Sequence, residues 1–132
     1  MGGLPSPIRV LLAEDNRDLA VAVRALLEAE GDITVTSVVA CAADLLESIH
    51  ATQADVVILD LNLDGGSSVP AMKQARTALP DLAIVVFSGY DARDVASALH
   101  GLGDAEFVTK NGEVTALIDA VRRVAPRRRA LT

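Results

Sequence analysis

The sequence predicts a doubly wound α/β sandwich, a parallel sheet covered by helices on both faces. Apolar runs alternate with helix-period segments five times along the 132 residues. The runs are short, rich in Val and Ile and mostly continuous, as strands buried on both faces read. The chain is 51% hydrophobic, yet its only aromatics are Phe87, Tyr90 and Phe107. The core must therefore be aliphatic, which suits helices packed on a buried parallel sheet.

The first run, IRVLLA from Ile8, is followed by Asn16, a good helix N-cap. Leu19, Val23, Leu26 and Leu27 then fall on one helical face, and Gly31 closes the segment. The second run is ITVTSVV from Ile33, with Leu45, Leu46 and Ile49 as a short stripe behind it. The third is DVVILD from Asp55; Pro70 then suits a first helical turn, with Met72, Ala75 and Leu79 leading to Pro80. After LAIVVF from Leu82, Asp91 is placed to cap a helix carrying Val95 and Leu99. AEFVT from Ala105 precedes the clearest stripe: Val114, Leu117, Ile118, Val121 and Val124. Five βα units joined by right-handed crossovers leave few topologies. At this length the expected one is a five-stranded parallel sheet in the order 2-1-3-4-5, a flavodoxin-like three-layer sandwich with five helices. The expected organisation is a disordered leader at 1–7, one domain at 8–125 and an Arg-rich tail at 126–132.

Composition excludes several classes. One cysteine, Cys41, rules out a disulfide framework or a multi-thiolate metal site, suits a reducing compartment, and reads as a small core residue. No run approaches the roughly 18 apolar residues that cross a membrane, and the N-terminus lacks the regions of a signal peptide. A soluble, cytoplasmic protein is expected. The net charge is −6, and five arginines lie in the last eleven residues. Without them, seven basic residues face eighteen acidic ones, so the body is acidic. That argues against nucleic-acid binding by this domain, because phosphate contacts need a basic face.

In doubly wound sheets the site lies at the carboxyl ends of the strands. Strand 1 ends at Glu14 and Asp15, strand 3 at Asp60, strand 4 at Ser88, and strand 5 runs into Lys110. The segment Asp60-Leu61-Asn62-Leu63-Asp64-Gly65 begins like a calcium loop, but the twelfth position is Ala71 where a bidentate Glu is required. Neither glycine-rich phosphate-loop pattern occurs. Carboxylates crowded together favour a proton or a hard dication, and Mg²⁺ takes such oxygen ligands. A carboxylate can then act as a nucleophile towards phosphorus, with an ammonium and a hydroxyl meeting the phosphoryl charge. Lys110 and Ser88 offer those two groups. Taken singly, Asp15 could merely cap a helix, Ser88 a turn, Lys110 could be a solvated charge and Phe107 a core residue. His50 and His100 have no partner at metal-ligand spacing and read as surface residues.

These residues carry a resemblance. VLLAEDN (Val10–Asn16), DVVILDLNL (Asp55–Leu63), VVFSGY (Val85–Tyr90) and GDAEFVTK (Gly103–Lys110) stand in the order and at the separations of the receiver domain of two-component response regulators, over about Ile8 to Val124. The resemblance implies that Asp60 accepts a phosphoryl group from a histidine kinase or histidine phosphotransfer protein. It implies self-catalysed transfer and autodephosphorylation rather than a dedicated small-molecule enzyme. Mg²⁺ would be held by Asp15, Asp60 and the backbone carbonyl of Asn62, with Glu14 acting through water. Lys110 would pair with the acceptor, Ser88 would bond a phosphoryl oxygen, and Phe107 would be the switch aromatic. The outcome would be a shifted helix 4–strand 5–helix 5 surface, read by a downstream protein target and compatible with a phosphorylation-linked dimer. Asn62 and Tyr90 occupy positions that modulate hydrolysis in this family.

Three positions depart from the family pattern. Asn111 stands where a cis proline usually follows the lysine, and a non-proline residue is expected to be trans. Asp64 replaces a common proline, followed by Gly65 and Gly66, which predicts a more acidic and more flexible loop. Ser68 replaces a common glycine. Because only a seven-residue tail follows the last helix, a stand-alone receiver is expected. The alternatives are the N-terminal fragment of a DNA-binding response regulator and a non-phosphorylated receiver-like interaction module. A D-x-D hydrolase is disfavoured because Asn62 replaces the second Asp.

Overall fold

The computed structural model describes residues 6–91 and 93–126. The expected leader and Arg-rich tail fall largely outside those residues. Five parallel strands form the sheet: β1 (Ile8–Ala13), β2 (Ile33–Val39), β3 (Val56–Leu59), β4 (Ala83–Ser88) and β5 (Glu106–Thr109). Their order is β2-β1-β3-β4-β5, as the alternation of elements predicts. The helices are α1 (Arg17–Glu28), α2 (Leu45–Thr52), α3 (Val69–Ala78), α4 (Ala96–Leu102) and α5 (Val114–Val124).

Alternate strand residues feed two separate cores, one on each face of the sheet. Val10, Leu12, Val56, Ile58, Val85 and Phe87 pack against α1 and α5 residues such as Val23, Leu27, Leu117 and Val121. Leu11, Val57, Leu59, Ile84 and Val86 pack against Leu45, Ile49, Met72 and Leu102 of α2, α3 and α4. All four residues of β3, the central strand, are fully buried, which explains why its sequence is a continuous apolar run. Burying such a Val, Leu or Ile contributes about 1.5–3 kcal/mol each. At the sheet edge β2 instead alternates, with Val38 39% exposed.

Local chemistry accounts for the element ends. Asn16 Oδ1 accepts from Leu19 N at 3.1 Å and starts α1. On the apolar face of α1, Ala20, Val23 and Leu27 are buried, whereas Leu26, expected inside, is 44% exposed. Asp91 does not cap α4 itself. Its Oδ1 accepts from Asp94 N at 3.1 Å and heads a turn, with the regular helix starting at Ala96. Arg76, on α3, donates from Nη1 to Leu102 O (3.3 Å) and from Nη2 to Asp104 O (2.8 Å), closing the carboxyl end of α4. Cys41, expected in the core, is only half-buried at the end of β2.

The loop after β3 is the largest local departure from expectation. Asn62–Leu63 and Gly66–Ser67 form a small antiparallel hairpin. Gly65 and Gly66 have φ of +93° and +122°, values that favour glycine, so the glycine pair makes a turn. Asp64 N donates to Ala40 O at 3.0 Å and Ala42 N to Asp64 O at 3.4 Å, tying the hairpin tip to the segment after β2. The sequence predicts a more flexible loop here, whereas Asp64 and Gly65 form the turn between paired Leu63 and Gly66.

Candidate functional site

The carboxyl ends of β1, β3, β4 and β5 meet at one edge of the sheet, and hydrogen bonds that extend the strand pairing set the register of the loops there. Asp60 N donates to Ala13 O at 3.0 Å, one residue beyond the end of β3. Lys110 N likewise donates to Ser88 O at 2.8 Å. These rungs bring residues 50 apart in sequence together: Lys110 Nζ donates to Asp60 Oδ2 at 2.8 Å. The other oxygen, Oδ1, accepts from Asn62 N at 3.2 Å.

Glu14 is buried, 3% exposed, and its Oε2 accepts from Asn16 N at 3.0 Å. Its Oε1 lies 2.7 Å from Lys110 Nζ, an ion pair, but no donor is aligned with it as a hydrogen bond. Carboxylate oxygens of Glu14, Asp15 and Asp60 all lie within 4.8 Å of one another. Three anionic oxygens so close, one of them buried without a directed donor, fit a hard dication such as Mg²⁺.

One ammonium serves two of these carboxylates. Burial depresses the pKa of Lys110, but its hydrogen bond to Asp60 and its close pairing with Glu14 outweigh that and hold it above the ordinary lysine value. Its ammonium also lies over an aromatic face: Nζ is 5.7 Å from the centroid of the Phe87 ring. Phe87 therefore belongs to the site although the sequence reading passed over it. The signal was available, since an aromatic side chain immediately precedes Ser88.

Ser88 is buried, 2% exposed, at the end of β4, and its Oγ accepts from Tyr90 N at 3.1 Å. Tyr90 is 61% exposed. With Asn62, Leu61, Ser67, Val95 and Ala98 it lines an open cleft of about 460 Å³ beside the loop after β3. Phe107 lies half-buried in β5, paired with Val86 and packed on the core beneath α3 and α4. Of the expected residues, then, Glu14, Asp15, Asp60 and Lys110 form one cluster. Ser88, Asn62 and Tyr90 line its surroundings, and Phe107 sits in the adjoining core layer. His50 and His100 are exposed on their helices.

The loop carrying Lys110 has its own tie. All described peptide bonds are trans, including Lys110–Asn111. Asn111 Nδ2 donates to Gly89 O at 3.2 Å, linking this loop to the one after β4. Ser68, also a departure from the family pattern, is fully buried, and its Oγ donates to Asp60 O at 2.8 Å.

Comparison with known proteins agrees with the fold. The response regulator receiver domain model matches residues 10–122. The response regulator protein VraR of Staphylococcus saprophyticus is 25% identical over 118 residues, covering 89% of this chain and 56% of VraR. The transcriptional regulatory protein YxjL of Bacillus subtilis is 28% identical over 118 residues, covering 89% of this chain and 54% of YxjL. The chain thus spans about half the length of these curated relatives. Among solved structures, a LuxR-family two-component response regulator from Aurantimonas sp. SI85-9A1 superposes with a TM-score of 0.83 at 24% identity, covering 90% of this chain and 85% of that one. The signal receiver domain of the putative response regulator NarL from Mycobacterium tuberculosis gives 0.79 at 24% identity, covering 90% and 96%. With the match spanning most of its length, this chain belongs to the response regulator receiver domain family.

Proposed function

We propose that this receiver domain is a phosphorylation-dependent switch in which Asp60 accepts a phosphoryl group from a phosphohistidine on a histidine kinase or histidine phosphotransfer protein. The observation that carries the reading is the Asp60 carboxylate held between the Lys110 ammonium and the acidic pair Glu14 and Asp15. A carboxylate so placed is oriented by Lys110 at Oδ2 and by Asn62 N–H at Oδ1, and the latter, at 3.2 Å, is the weaker hold. An Asp60 oxygen forms the new O–P bond as the P–N bond of the donor breaks, and the electron pair leaves on the imidazole nitrogen. Glu14, Asp15, Asp60 and the Asn62 carbonyl are the groups that would hold Mg²⁺, which when bound offsets charge on the phosphoryl oxygens.

After transfer, Lys110 moves its hydrogen bond from the carboxylate to a phosphoryl oxygen. Ser88, whose Oγ already accepts from Tyr90 N, keeps its own hydrogen for a second phosphoryl oxygen. A shift of Ser88 and its loop opens room for Phe107 to change rotamer, a population shift of the α4, β5 and α5 surface. Tyr90, exposed over the cleft beside Asp60, would shield the acyl phosphate from water. A cytoplasmic location fits this chemistry, and among the described residues no helix is long and apolar enough to cross a membrane.

The output would be a protein partner, with a phosphorylation-linked dimer as one form of it. A second reading is favoured by one observation: the relatives are more than half as long again as this chain and one is named a transcriptional regulatory protein. In that reading the domain governs an attached DNA-binding unit rather than binding nucleic acid itself. Intact-protein mass after incubation with acetyl phosphate and Mg²⁺ tests the acceptor. A gain of one phosphoryl group in wild type but not in Asp60→Asn is expected. No gain, with a phosphohistidine donor also failing, would leave a receiver-like module that signals by contact alone.

A further inference from the structure

We propose that Ser68 is a positioning residue for Asp60, its hydroxyl replacing the sheet hydrogen bond that the acceptor's carbonyl would otherwise lack. This rests on the reading of Asp60 as phosphoacceptor and adds the group that fixes its backbone.

Ser68 is not used as its place at the start of α3 would ordinarily dictate. It occupies the N-cap position of α3, where a serine hydroxyl ordinarily accepts a hydrogen bond from an N–H of the first turn. Here its side chain makes no capping bond. Its neighbours take over that duty. Ser67 Oγ accepts from Val69 N at 3.2 Å, and Pro70 in the first turn has no N–H to satisfy. The Ser68 hydroxyl is thereby released from the helix, and it points the other way, donating to Asp60 O at 2.8 Å.

That carbonyl lies past the end of β3, which pairs with β1 and β4 only through Leu59. The acceptor's N–H is still held by β1, through Ala13 O at 3.0 Å. Its C=O is bonded by Ser68. With the N–H and C=O of Asp60 both fixed, rotation about its side-chain bonds is the main freedom left to the carboxylate. Ser68 N also donates to Leu61 O at 2.9 Å, so residue 68 grips the two residues at the root of the hairpin that presents Asn62. Ser68 is fully buried, which shields both bonds from competing water. Its φ of −87° is open to any residue, so the position has no need of glycine, and the hydroxyl is what distinguishes it.

The test uses Ser68→Ala, which deletes the donor, and Ser68→Cys, which keeps a similar shape with a weaker one, beside wild type and Asp60→Asn. Phosphoryl uptake from acetyl phosphate with MgCl₂ is followed by intact mass across donor concentrations, and Mg²⁺ affinity by calorimetry. The expected result is a maximal uptake rate about tenfold to a hundredfold lower in both variants, because small misplacement of a reacting group costs that much. The half-saturating donor concentration stays unchanged, Mg²⁺ binds more weakly, and the Asp60 carbonyl ¹³C resonance moves upfield. Ser68→Thr, which retains a hydroxyl, recovers rate. Wild-type uptake rate and Mg²⁺ affinity in Ser68→Ala and Ser68→Cys, with only thermal stability altered, would overturn the proposal by reducing Ser68 to a packing role. A wild-type protein that accepts no phosphoryl group from any donor would overturn the acceptor reading and this inference together.

Discussion

Lys110 carries its ammonium 5.7 Å from the centre of the Phe87 ring while the same nitrogen holds Asp60 at 2.8 Å and Glu14 at 2.7 Å. The ring face is the uncharged side of an otherwise anionic nest, and it limits the directions the lysine can take. A cation over an aromatic ring is worth about 0.5–2 kcal/mol according to its desolvation. Phe87→Leu is expected to lower stability by about 1 kcal/mol or more, since it also removes core contacts. In a double-mutant cycle with Lys110→Met, urea unfolding should show a coupling of about 0.5 kcal/mol or more. Strict additivity would mean that the ring acts on the core alone.

The acidic cluster predicts a specific response to metal. Mg²⁺ that binds the folded state only should raise the unfolding temperature, by an amount equivalent to about 1.4 kcal/mol when its concentration is tenfold above Kd. EDTA should reverse the rise. Asp15→Asn removes an exposed member of the cluster without opening the core, so the variant should fold normally and lose most of the metal-induced shift. A full shift in Asp15→Asn would remove that carboxylate from the ligand set.

Alkaline pH should release the same knot from the other side. The folded-state pKa of Lys110 lies above its ordinary value of 10.5. Its charge therefore contributes stability that is fully present below that ordinary value and is lost as pH rises through the elevated one. Unfolding titrations from pH 9 to 12 should show a decline that Lys110→Met lacks.

At the acid end the relevant pair is Arg122 with Asp32, bonded at 3.0 and 2.9 Å, with Glu30 2.8 Å from the same guanidinium. The hydrogen bond from Arg122 holds the Asp32 carboxyl below its ordinary 3.8 despite opposing burial. Stability from this pair is present above the ordinary value and disappears as pH falls through the lowered one. All three side chains are a third or more exposed, so solvent screens the pair and Arg122→Ala should cost below about 1 kcal/mol at neutral pH. Raising the ionic strength should shrink even that difference.

A larger effect is expected at the opposite edge of the sheet from the acceptor. Asp55 is 2% exposed, its Oδ2 accepts from Arg9 N at 2.9 Å, and its N–H donates to Arg9 O at 2.7 Å. Asp55→Ala leaves the half-buried Arg9 N–H at the mouth of β1 without this acceptor and should cost about 1 kcal/mol or more, read as a lower urea midpoint.

The sheet order and the acidic cluster were both legible because each depends on one dominant rule. Continuous Val and Ile runs mark buried parallel strands, and carboxyl-end residues such as Glu14, Asp60 and Lys110 must converge wherever those strands lie side by side. What escaped the sequence depended on choices between equivalent partners. Nothing in Ser67-Ser68 reveals which hydroxyl caps α3 and which turns towards Asp60. Leu26 and Leu27 are chemically alike, and only packing decides that the second is inside. The Gly65–Gly66 pair reads as slack, whereas the hydrogen bonds of Asp64 N to Ala40 O and of Ala42 N to Asp64 O turn it into a fastened hairpin.

Arg76 gives α3 a mechanical character. The helix is rooted at Ser68, which grips the backbone of Asp60, and Arg76 in its last turn clasps Leu102 and Asp104. Eight residue steps of helix make a stiff rod of about 12 Å between those two grips. α3 is thus a strut that joins the backbone of residue 60 to the tail of α4 and the approach to β5.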